Sequence, residues 1–420
     1  MDQVVILAGG QGTRLGSQSL HKPKCLQEIA EIPILEHQLN FFRNSGFSKI
    51  HLALGVHSQK IIEYVENHFE SEELDFTFSI EQNLLGTGGA VINSLTFLEE
   101  RFLVIHGDIY INTTIERLVS AISEPTVDFA QLVHPSNHMN DSDLVVIDSN
   151  DYIVSYVKKP HIEFTGHRNL CNAGVYAFKR DVFQNLQLKD KTDLDRELLP
   201  LLITKGLRGK AIRNFGFIRD AGTPERLREV NSKFKSKLTN SKKKRLALLD
   251  RDGTINLSKG YITDFNQIEL CVGVGDLIRW LNDNDFYVAV LTNQPVIARG
   301  EASFSDVDLI HARIDFLLAE FNAFIDAYFI CPHHPHSGFK GEIRDLKMIC
   351  YCRKPSKGLA EKCFEYFALR PQDSIMIGDS WRDRELASEL QVQFFEINER
   401  NSEERYEEIL GTLQKNFSLE

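Results

Sequence analysis

The sequence predicts an α/β protein of two domains, and three observations predict it. At 420 residues the chain is too long for one core, given roughly 150 residues per domain. Short apolar runs ending in glycine or aspartate alternate with helical patterns in both halves, as in mostly parallel sheets. A polar, basic tract, Asn231 to Arg245, separates the halves of an otherwise acidic chain, and its composition suits an exposed linker, helical in its first half. The boundaries that follow are residues 1–231, a linker of 232–245, and 246–420.

Composition narrows the function classes. A formal net charge of −11 argues against a nucleic-acid surface, which needs a basic excess. No apolar run is long enough to span a bilayer, and MDQVVILAGG turns to glycine too early for a signal peptide. The expectation is a soluble, cytoplasmic protein with small anionic substrates. Seven cysteines, three of them at Cys331, Cys350 and Cys352, suit a reduced protein with one metal site rather than a disulfide framework.

In the first domain VVILAGGQGTRL reads as a buried strand, Val4 to Ala8, running into Gly9, Gly10, Gly12, Thr13 and Arg14. Glycines let backbone N–H groups approach a polyphosphate, and Arg14 adds charge there. The loop is neither a GxGxxG fingerprint nor a Walker A loop. HKPKCL then places Lys24 on the same loop or its return. Helical periodicity over Pro33 to Asn44, a strand over Lys49 to Leu54 and a helix over His57 to Phe69 follow. EQNLLGTGGAV ends a strand and opens a helix with Gly86, Thr87 and Gly88, and Phe102 to His106 is a strand ending at Gly107 and Asp108.

GGxGTRL followed by PKCL resembles the sugar-phosphate nucleotidyltransferase family, and the resemblance covers about Val4 to Asn231. It implies a Rossmann-like, GT-A-like mixed sheet and a nucleoside triphosphate bound on the glycine loop, with Gly86 to Gly88 against the nucleobase and ribose. Asp108, and Asp220 in RDAGTPERL, would hold Mg²⁺, while Arg14 and Lys24 neutralise the triphosphate. In VKKP, Lys159 would contact the sugar phosphate, and Lys158 stands where the family usually has a glutamate that binds sugar hydroxyls. NAGVYAF from Asn172 and LDRELLP with Glu197 resemble the remaining sugar-contacting segments. The implied reaction is in-line attack of a sugar 1-phosphate on the α-phosphorus, with positioning and charge neutralisation supplied by the protein.

The second domain opens with LALLDRDGTIN: a buried strand through Leu248 and Leu249, then Asp250, Asp252 and Gly253. Strand ends are where open α/β sheets put their chemistry. Two carboxylates at i and i+2 there can divide phosphoryl transfer, one attacking and one managing the proton. Tyr287 to Leu291 is a strand ending in Thr292, Asn293 and Gln294; Arg353 and Lys354 supply fixed positive charge; Ser374 to Ile377 is a strand ending in Gly378 and Asp379, with Asp383 one turn on. Between them, Cys331, His333, Cys350 and Cys352 make four soft ligands around a loop, a closed structural zinc site in which His334 and His336 are alternatives to His333.

DxDGT, a hydroxyl, a lysine and an acidic pair, in that order, resemble the four motifs of haloacid dehalogenase-like phosphatases. The resemblance implies that Asp250 becomes an aspartyl-phosphate, Asp252 is the acid and base, and Thr292 and Lys354 bind the phosphoryl group with Asn293 nearby. Mg²⁺ would sit on Asp250, the Asp252 carbonyl and Asp379, and Asp383 would support this shell or cap a helix. DRDGTIN, TNQ and the CPHHP…CxCRKP loop further resemble heptose 1,7-bisphosphate 7-phosphatases, in which Arg299 and Arg353 fall on substrate-binding positions. Histidinol-phosphate phosphatases carry a similar zinc loop, and Pro295 and Val296 depart from the heptose enzymes' usual loop.

Joining the two resemblances gives a bifunctional expectation. Dephosphorylating heptose 1,7-bisphosphate yields heptose 1-phosphate, the acceptor that a guanylyltransferase would convert with GTP into a GDP-heptose for a surface glycan. Guanine comes from this pathway logic rather than from a base-reading residue. Two alternatives stay open: a mannose or glucose 1-phosphate nucleotidyltransferase fused to a phosphatase of other specificity, and one domain serving as a regulatory module. Both families often form homo-oligomers, but no interface is legible in the sequence.

Overall fold

The computed structural model describes residues 1–10, 22–69, 74–184, 186, 191–239 and 244–417. Gly12, Thr13 and Arg14 lie outside the described residues, as does the middle of the basic tract. The chain divides into two compact units, Met1–His134 with Val145–Lys158 and Asn172–Asn240, and Pro135–Leu144 with Lys159–Cys171 and Ser241–Glu420.

The core of the first unit is a mixed sheet with nine strands among the described residues. Gln3–Ala8, whose residues Val4 to Ile6 are completely buried, lies at its centre. A run of β-branched residues without alternation is what a strand buried on both faces needs. Lys49–Leu54 and Arg101–His106 flank it in parallel, and Asp75–Ile80 extends the parallel side. Cys171–Lys179 runs antiparallel against Arg101–His106, which makes the sheet mixed. Helices Ile34–Asn44 and Ser58–His68 fall where the sequence periodicity puts them, within a residue at each end. Helix Pro224–Thr239 carries the first half of the basic tract, and Arg245 opens the next strand.

The second unit has a five-stranded, wholly parallel sheet in the order Ala327–Cys331, Phe286–Asn293, Arg245–Leu249, Ser374–Gly378, Gln393–Glu396. Its first strand in sequence is the central one. No helix among the described residues is long and apolar enough to cross a membrane.

This unit also takes in residues 135–144 and 159–171. They are fixed to helix Phe304–Leu318 by one buried carboxylate. Asp315, 1% exposed, accepts from Arg168 Nε at 2.7 Å, from Asn169 N at 3.1 Å and from Tyr328 OH at 2.7 Å. The Arg168 guanidinium lies over the Tyr328 ring and also pairs with Asp308. A buried charge that loses one partner is costly, about 3–5 kcal/mol. Arg168→Met is therefore expected to lower the stability of the second unit by about that much in urea titrations of the full chain. Adding Asp315→Asn recovers most of the loss, because the neutral amide leaves no buried charge.

Candidate active sites

In the first unit the chemistry collects at the carboxyl ends of Gln3–Ala8 and Arg101–His106, where the sheet order reverses. Asp108 follows the second of these strands. Asp220 closes the strand Phe217–Asp220, whose antiparallel pairing with Ile109–Asn112 sets it opposite Ile109. A backbone bond from Ala221 N to Asp108 O, 2.8 Å, draws the two segments together. The carboxylates meet at Gly222, where an added Cβ would lie 2.7 Å from Asp108 Oδ2 and 2.8 Å from Asp220 Oδ1. Only glycine leaves room for both. Lys24 Nζ is 3.3 Å from Asp108 Oδ2, and Arg226 pairs with Asp220. Two carboxylates beside a lysine suit Mg²⁺ shared with substrate phosphates.

Beside them is a cavity of about 330 Å³ lined by Gly9, Gly10, Lys24, Gly86, Thr87 and Asp108, among others. The structure thus brings together the predicted residues of the triphosphate loop that it describes. It also gives a second reason for the glycines. A Cβ on Gly86, at φ +75°, would lie 2.5 Å from Thr192 O, and one on Gly88 3.2 Å from the same atom. The helix Gly86–Asn93 packs against residues 192–194, and Leu194 N donates to Thr87 Oγ1 at 2.8 Å.

A polar cluster adjoins this cavity through His106, which lines it. Asn172 Nδ2 donates to Asp195 Oδ1 at 2.7 Å, Tyr176 OH donates to the same oxygen, and His106 Nε2 is 3.4 Å from Asp195 Oδ2. Burial pushes the Asp195 carboxyl up, but His106, Tyr176 and Asn172 outweigh it and hold the group below its usual range. Burial likewise opposes charge on His106, and the Asp195 carboxylate overcomes it, raising the imidazole to about 9. Glu197 turns back to accept from Asp193 N at 2.9 Å, so Asp195 rather than Glu197 is the acid that meets Asn172. Sequence reasoning missed Asp195 and His106, since a π-turn over Leu194–Leu198 sets which acid of LDREL points inward. Lys159 belongs to the second unit, where its ammonium pairs with Asp141 at 2.9 Å.

The second unit repeats the logic. Asp250 follows the central strand and Asp379 follows its neighbour Ser374–Gly378. Oxygens of Asp250, Asp379 and Asp383 lie within 4.8 Å of one another. Gly253, at φ +84°, has no room for a Cβ, which would come within 2.2 Å of Asp379 Oδ2. Burial pushes the Asp250 carboxyl up to about 7 against the pull of Lys354. Asp379 rises to about 6 through burial and then the charge of Asp383. Crowded carboxyls of this kind are what a divalent cation neutralises, so the residues fit Mg²⁺.

Lys354 is 3% exposed, and its Nζ lies 2.7 Å from both Asp250 Oδ1 and Asp383 Oδ1. Asp383 is fully buried and also accepts from Ser380 Oγ at 2.5 Å, capping helix Trp381–Leu390. It therefore fixes the lysine and starts the helix at once. Asn293 exchanges two bonds with the Lys354 backbone, 3.0 and 3.1 Å, so its amide places the lysine loop. Thr292, 1% exposed, accepts from Gln294 Nε2 at 2.7 Å.

Asp252 is held by residues the sequence did not single out for that task. Arg251 donates to both its oxygens at 2.9 Å, Gln294 Nε2 to Oδ2 at 2.8 Å and Asn256 Nδ2 to Oδ1 at 3.1 Å. Arg251 is fully buried, and its place between the two aspartates was the available signal. Arg299 stacks between the rings of Tyr261 and Phe339 and pairs with Glu301.

Cys331, His333, Cys350 and Cys352 form one cluster. The sulfur atoms are 3.4–3.6 Å apart, and His333 Nδ1 is 3.2 Å from Cys352 Sγ. Tetrahedral Zn–S bonds of about 2.3 Å imply sulfur separations of about 3.8 Å, so these donors fit zinc. His334 instead bonds to His336. Arg353 Nη1 donates to His333 O at 3.1 Å, tying this loop to the residue beside Lys354.

Comparison with known proteins agrees with both halves. Residues 3–237 match the Nucleotidyl transferase family. The D-glycero-beta-D-manno-heptose-1,7-bisphosphate 7-phosphatase of Escherichia coli O6:H1 is 34% identical over 144 residues, 34% of this chain and 74% of that protein. The D-glycero-alpha-D-manno-heptose 1-phosphate guanylyltransferase of Campylobacter jejuni is 29% identical over 226 residues, 53% of this chain and 96% of that protein. HddC from Yersinia pseudotuberculosis, crystallised with GMP-PN, superposes with a TM-score of 0.48 at 27% identity, covering 56% of this chain and 100% of that one. The chain therefore belongs to the nucleotidyl transferase family through residues 3–237 and, through its C-terminal part, to the family of the Escherichia coli phosphatase, and is an enzyme of both classes.

Proposed function

We propose that the chain carries out two consecutive steps of nucleotide-activated heptose synthesis. The second unit, read as a haloacid dehalogenase-type phosphatase with a zinc loop, removes the 7-phosphate of D-glycero-D-manno-heptose 1,7-bisphosphate. The first unit transfers GMP from GTP to the resulting heptose 1-phosphate, giving GDP-heptose and pyrophosphate. The observation that supports this reading is that Lys24, Asp108 and Asp220 meet beside a cavity in one unit while Asp250, Lys354 and Asp379 meet in the other, and the product of one reaction is the acceptor of the other.

In the phosphatase half-reaction an Asp250 oxygen forms the bond to phosphorus, the bond to the sugar oxygen breaks, and Asp252 gives that oxygen its proton. Asp252 then takes a proton from the water that hydrolyses the aspartyl-phosphate. Its bonds from Arg251, Gln294 and Asn256 hold it in place for both transfers. Lys354 and Thr292 bind the phosphoryl oxygens. In the transferase, an oxygen of the sugar 1-phosphate attacks the α-phosphorus and pyrophosphate leaves, with Lys24 and the glycine loop holding the phosphates. Asp108 and Asp220 in one unit, and Asp250, Asp379 and the Asp252 carbonyl in the other, would hold Mg²⁺, which would offset repulsion between anions, and Cys331, His333, Cys350 and Cys352 would hold a zinc that stiffens the loop carrying Arg353 and Lys354.

The names of the two relatives carry opposite anomers, beta for the phosphatase and alpha for the guanylyltransferase. Mass spectrometry of products from each anomer of the bisphosphate, with Mg²⁺ and each nucleoside triphosphate in turn, tests the whole reading. GDP-heptose together with phosphate and pyrophosphate from one anomer is expected. Phosphate release without a nucleotide sugar would remove the guanylyltransferase half, and mannose or glucose 1-phosphate accepted in its place would redirect it.

Asp250→Asn is expected to lower phosphatase activity on the order of 10³-fold or more while nucleotidyl transfer to supplied heptose 1-phosphate stays within about 2-fold. Asp108→Asn should show the reverse pattern. Loss of both activities in either folded variant would sink the separable sites. Metal analysis should find zinc in the purified chain and none in Cys350→Ser, with phosphate release reduced and nucleotidyl transfer retained.

A further inference from the structure

Two arginines act on one pair of stacked rings in the second unit. His311, on helix Phe304–Leu318, stacks on Tyr328 with ring centroids 4.2 Å apart, and the Arg168 guanidinium lies over the Tyr328 ring at 4.3 Å. The charge of Arg251 reaches both rings. Burial holds the His311 imidazole well below its usual range, and Arg251 and Arg168 lower it further. Burial and Asp315 push the Tyr328 hydroxyl up against the pull of the same two arginines. His311 is therefore neutral and serves neither of them as a counter-ion. Each has its own carboxylate instead, Asp315 for Arg168 and Asp252 for Arg251.

We propose that Arg168 is a positioning residue of the phosphatase: by neutralising Asp315 it leaves Arg251 to Asp252, and so keeps Asp252 aimed for proton transfer. The inference rests on the reading of the second unit as a phosphatase in which Asp252 is the acid and base. On it, the phosphatase is completed by a residue outside 246–420, carried by the segment 159–171 that belongs to the same unit.

The geometry of Arg251 is what makes the pairing exchangeable. Its Nε and Nη2 donate to Asp252, while Nη1 is buried and has no hydrogen-bond partner among the described residues. The donors of a guanidinium form a rigid planar fork, so turning Nη1 toward a second carboxylate draws the other two nitrogens off the first. Asp315 is that second carboxylate. It is 1% exposed and bonded to the Tyr328 hydroxyl that feels the Arg251 charge. A buried carboxylate stripped of its cation is costly and, weakly screened, pulls on the next cation within reach. Arg168 in turn is kept in place by more than Asp315. It pairs with Asp308, its neighbour Asn169 donates its own N–H to Asp315, and the Asn169 side chain exchanges two bonds with the Ser136 backbone, 3.0 and 2.7 Å.

The test is steady-state kinetics of the full chain and its folded variants on the heptose bisphosphate and on para-nitrophenyl phosphate. Because kcat/KM reports the steps up to loss of the leaving group, it isolates the acid role: nitrophenolate leaves without a proton, whereas a sugar alkoxide needs one. Arg168→Met is expected to lower kcat/KM for the heptose bisphosphate on the order of 10-fold or more, with that for para-nitrophenyl phosphate within about 3-fold. A merely structural role would lower both alike. Asp315→Asn alone leaves no carboxylate to compete for Arg251 and should keep the heptose value within about 3-fold of wild type; added to Arg168→Met, it should recover most of the loss. If Arg168→Met does not fold, Tyr328→Phe, which keeps the ring and takes one donor from Asp315, is expected to shift the ratio of the two substrates in the same direction. Equal losses on both substrates, or no loss on either, overturn the role of Arg168 alone. A wild type that releases no phosphate from the heptose bisphosphate overturns the phosphatase reading as well.

Discussion

Both units depend on one constraint of parallel sheets: the first strand of the chain lies in the middle, and the strands that follow add to one side before the chain crosses to the other. Where the order reverses, the connections leaving two adjacent strands part, and a crevice opens at their carboxyl ends. In the first unit these strands are Gln3–Ala8 and Arg101–His106, and Gly9, Gly10 and Asp108 stand at their ends. In the second they are Arg245–Leu249 and Ser374–Gly378, followed by Asp250 and Asp379. Topology thus brings together groups that are far apart in sequence. The apolar strands that build the sheets also aim the chemistry.

Within each crevice the charges survive burial only as sets. Lys354 has two carboxylate partners, and Asp383, completely buried, is satisfied by Lys354 and by the start of its own helix. Arg251 inside the core is matched to Asp252 through both oxygens. An isolated buried ion would cost several kcal/mol after relaxation, so these sets form together or fail together. The same bonds that offset desolvation fix the carboxylates proposed to attack and to transfer protons, which links the stability of the site to its positioning.

Glycine has a related part at both acidic centres. Gly222 and Gly253 stand where any Cβ would strike a carboxylate, of Asp108 and Asp220 in one case and Asp379 in the other. Backbone approach at these points lets acidic groups close to the spacing a shared cation needs. Positive φ at Gly253 adds a second requirement. Larger residues at either position would separate the carboxylates before they affected the surrounding core.

The sequence by itself marked the strands that lead into the candidate sites, Gln3–Ala8, Arg101–His106, Arg245–Leu249, Phe286–Asn293 and Ser374–Gly378, but not the strands Phe129–His134, Leu144–Ile147, Gly209–Arg213, Ala327–Cys331 and Gln393–Glu396 that complete the sheets. Unalternating apolar runs such as VVILA and LALL mark buried strands whatever surrounds them, and Lys24, Asp108, Asp220, Asp250, Lys354 and Asp379 stand in motifs that resemble those of the two families. The cysteine and histidine pairs were legible for the same reason, since metal ligands sit at short, recurring separations. Only the tertiary structure decided which neighbours complete each group. Asp195 instead of Glu197 meets Asn172 because one π-turn rotates the LDREL segment, and no local pattern encodes that rotation. The grip of Gln294 on Asp252, the bond between Asn293 and the Lys354 backbone, and the capture of Arg168 by Asp315 join residues distant in sequence. Their geometry is set by how the elements pack, and packing depends on the whole chain rather than on any one stretch of it.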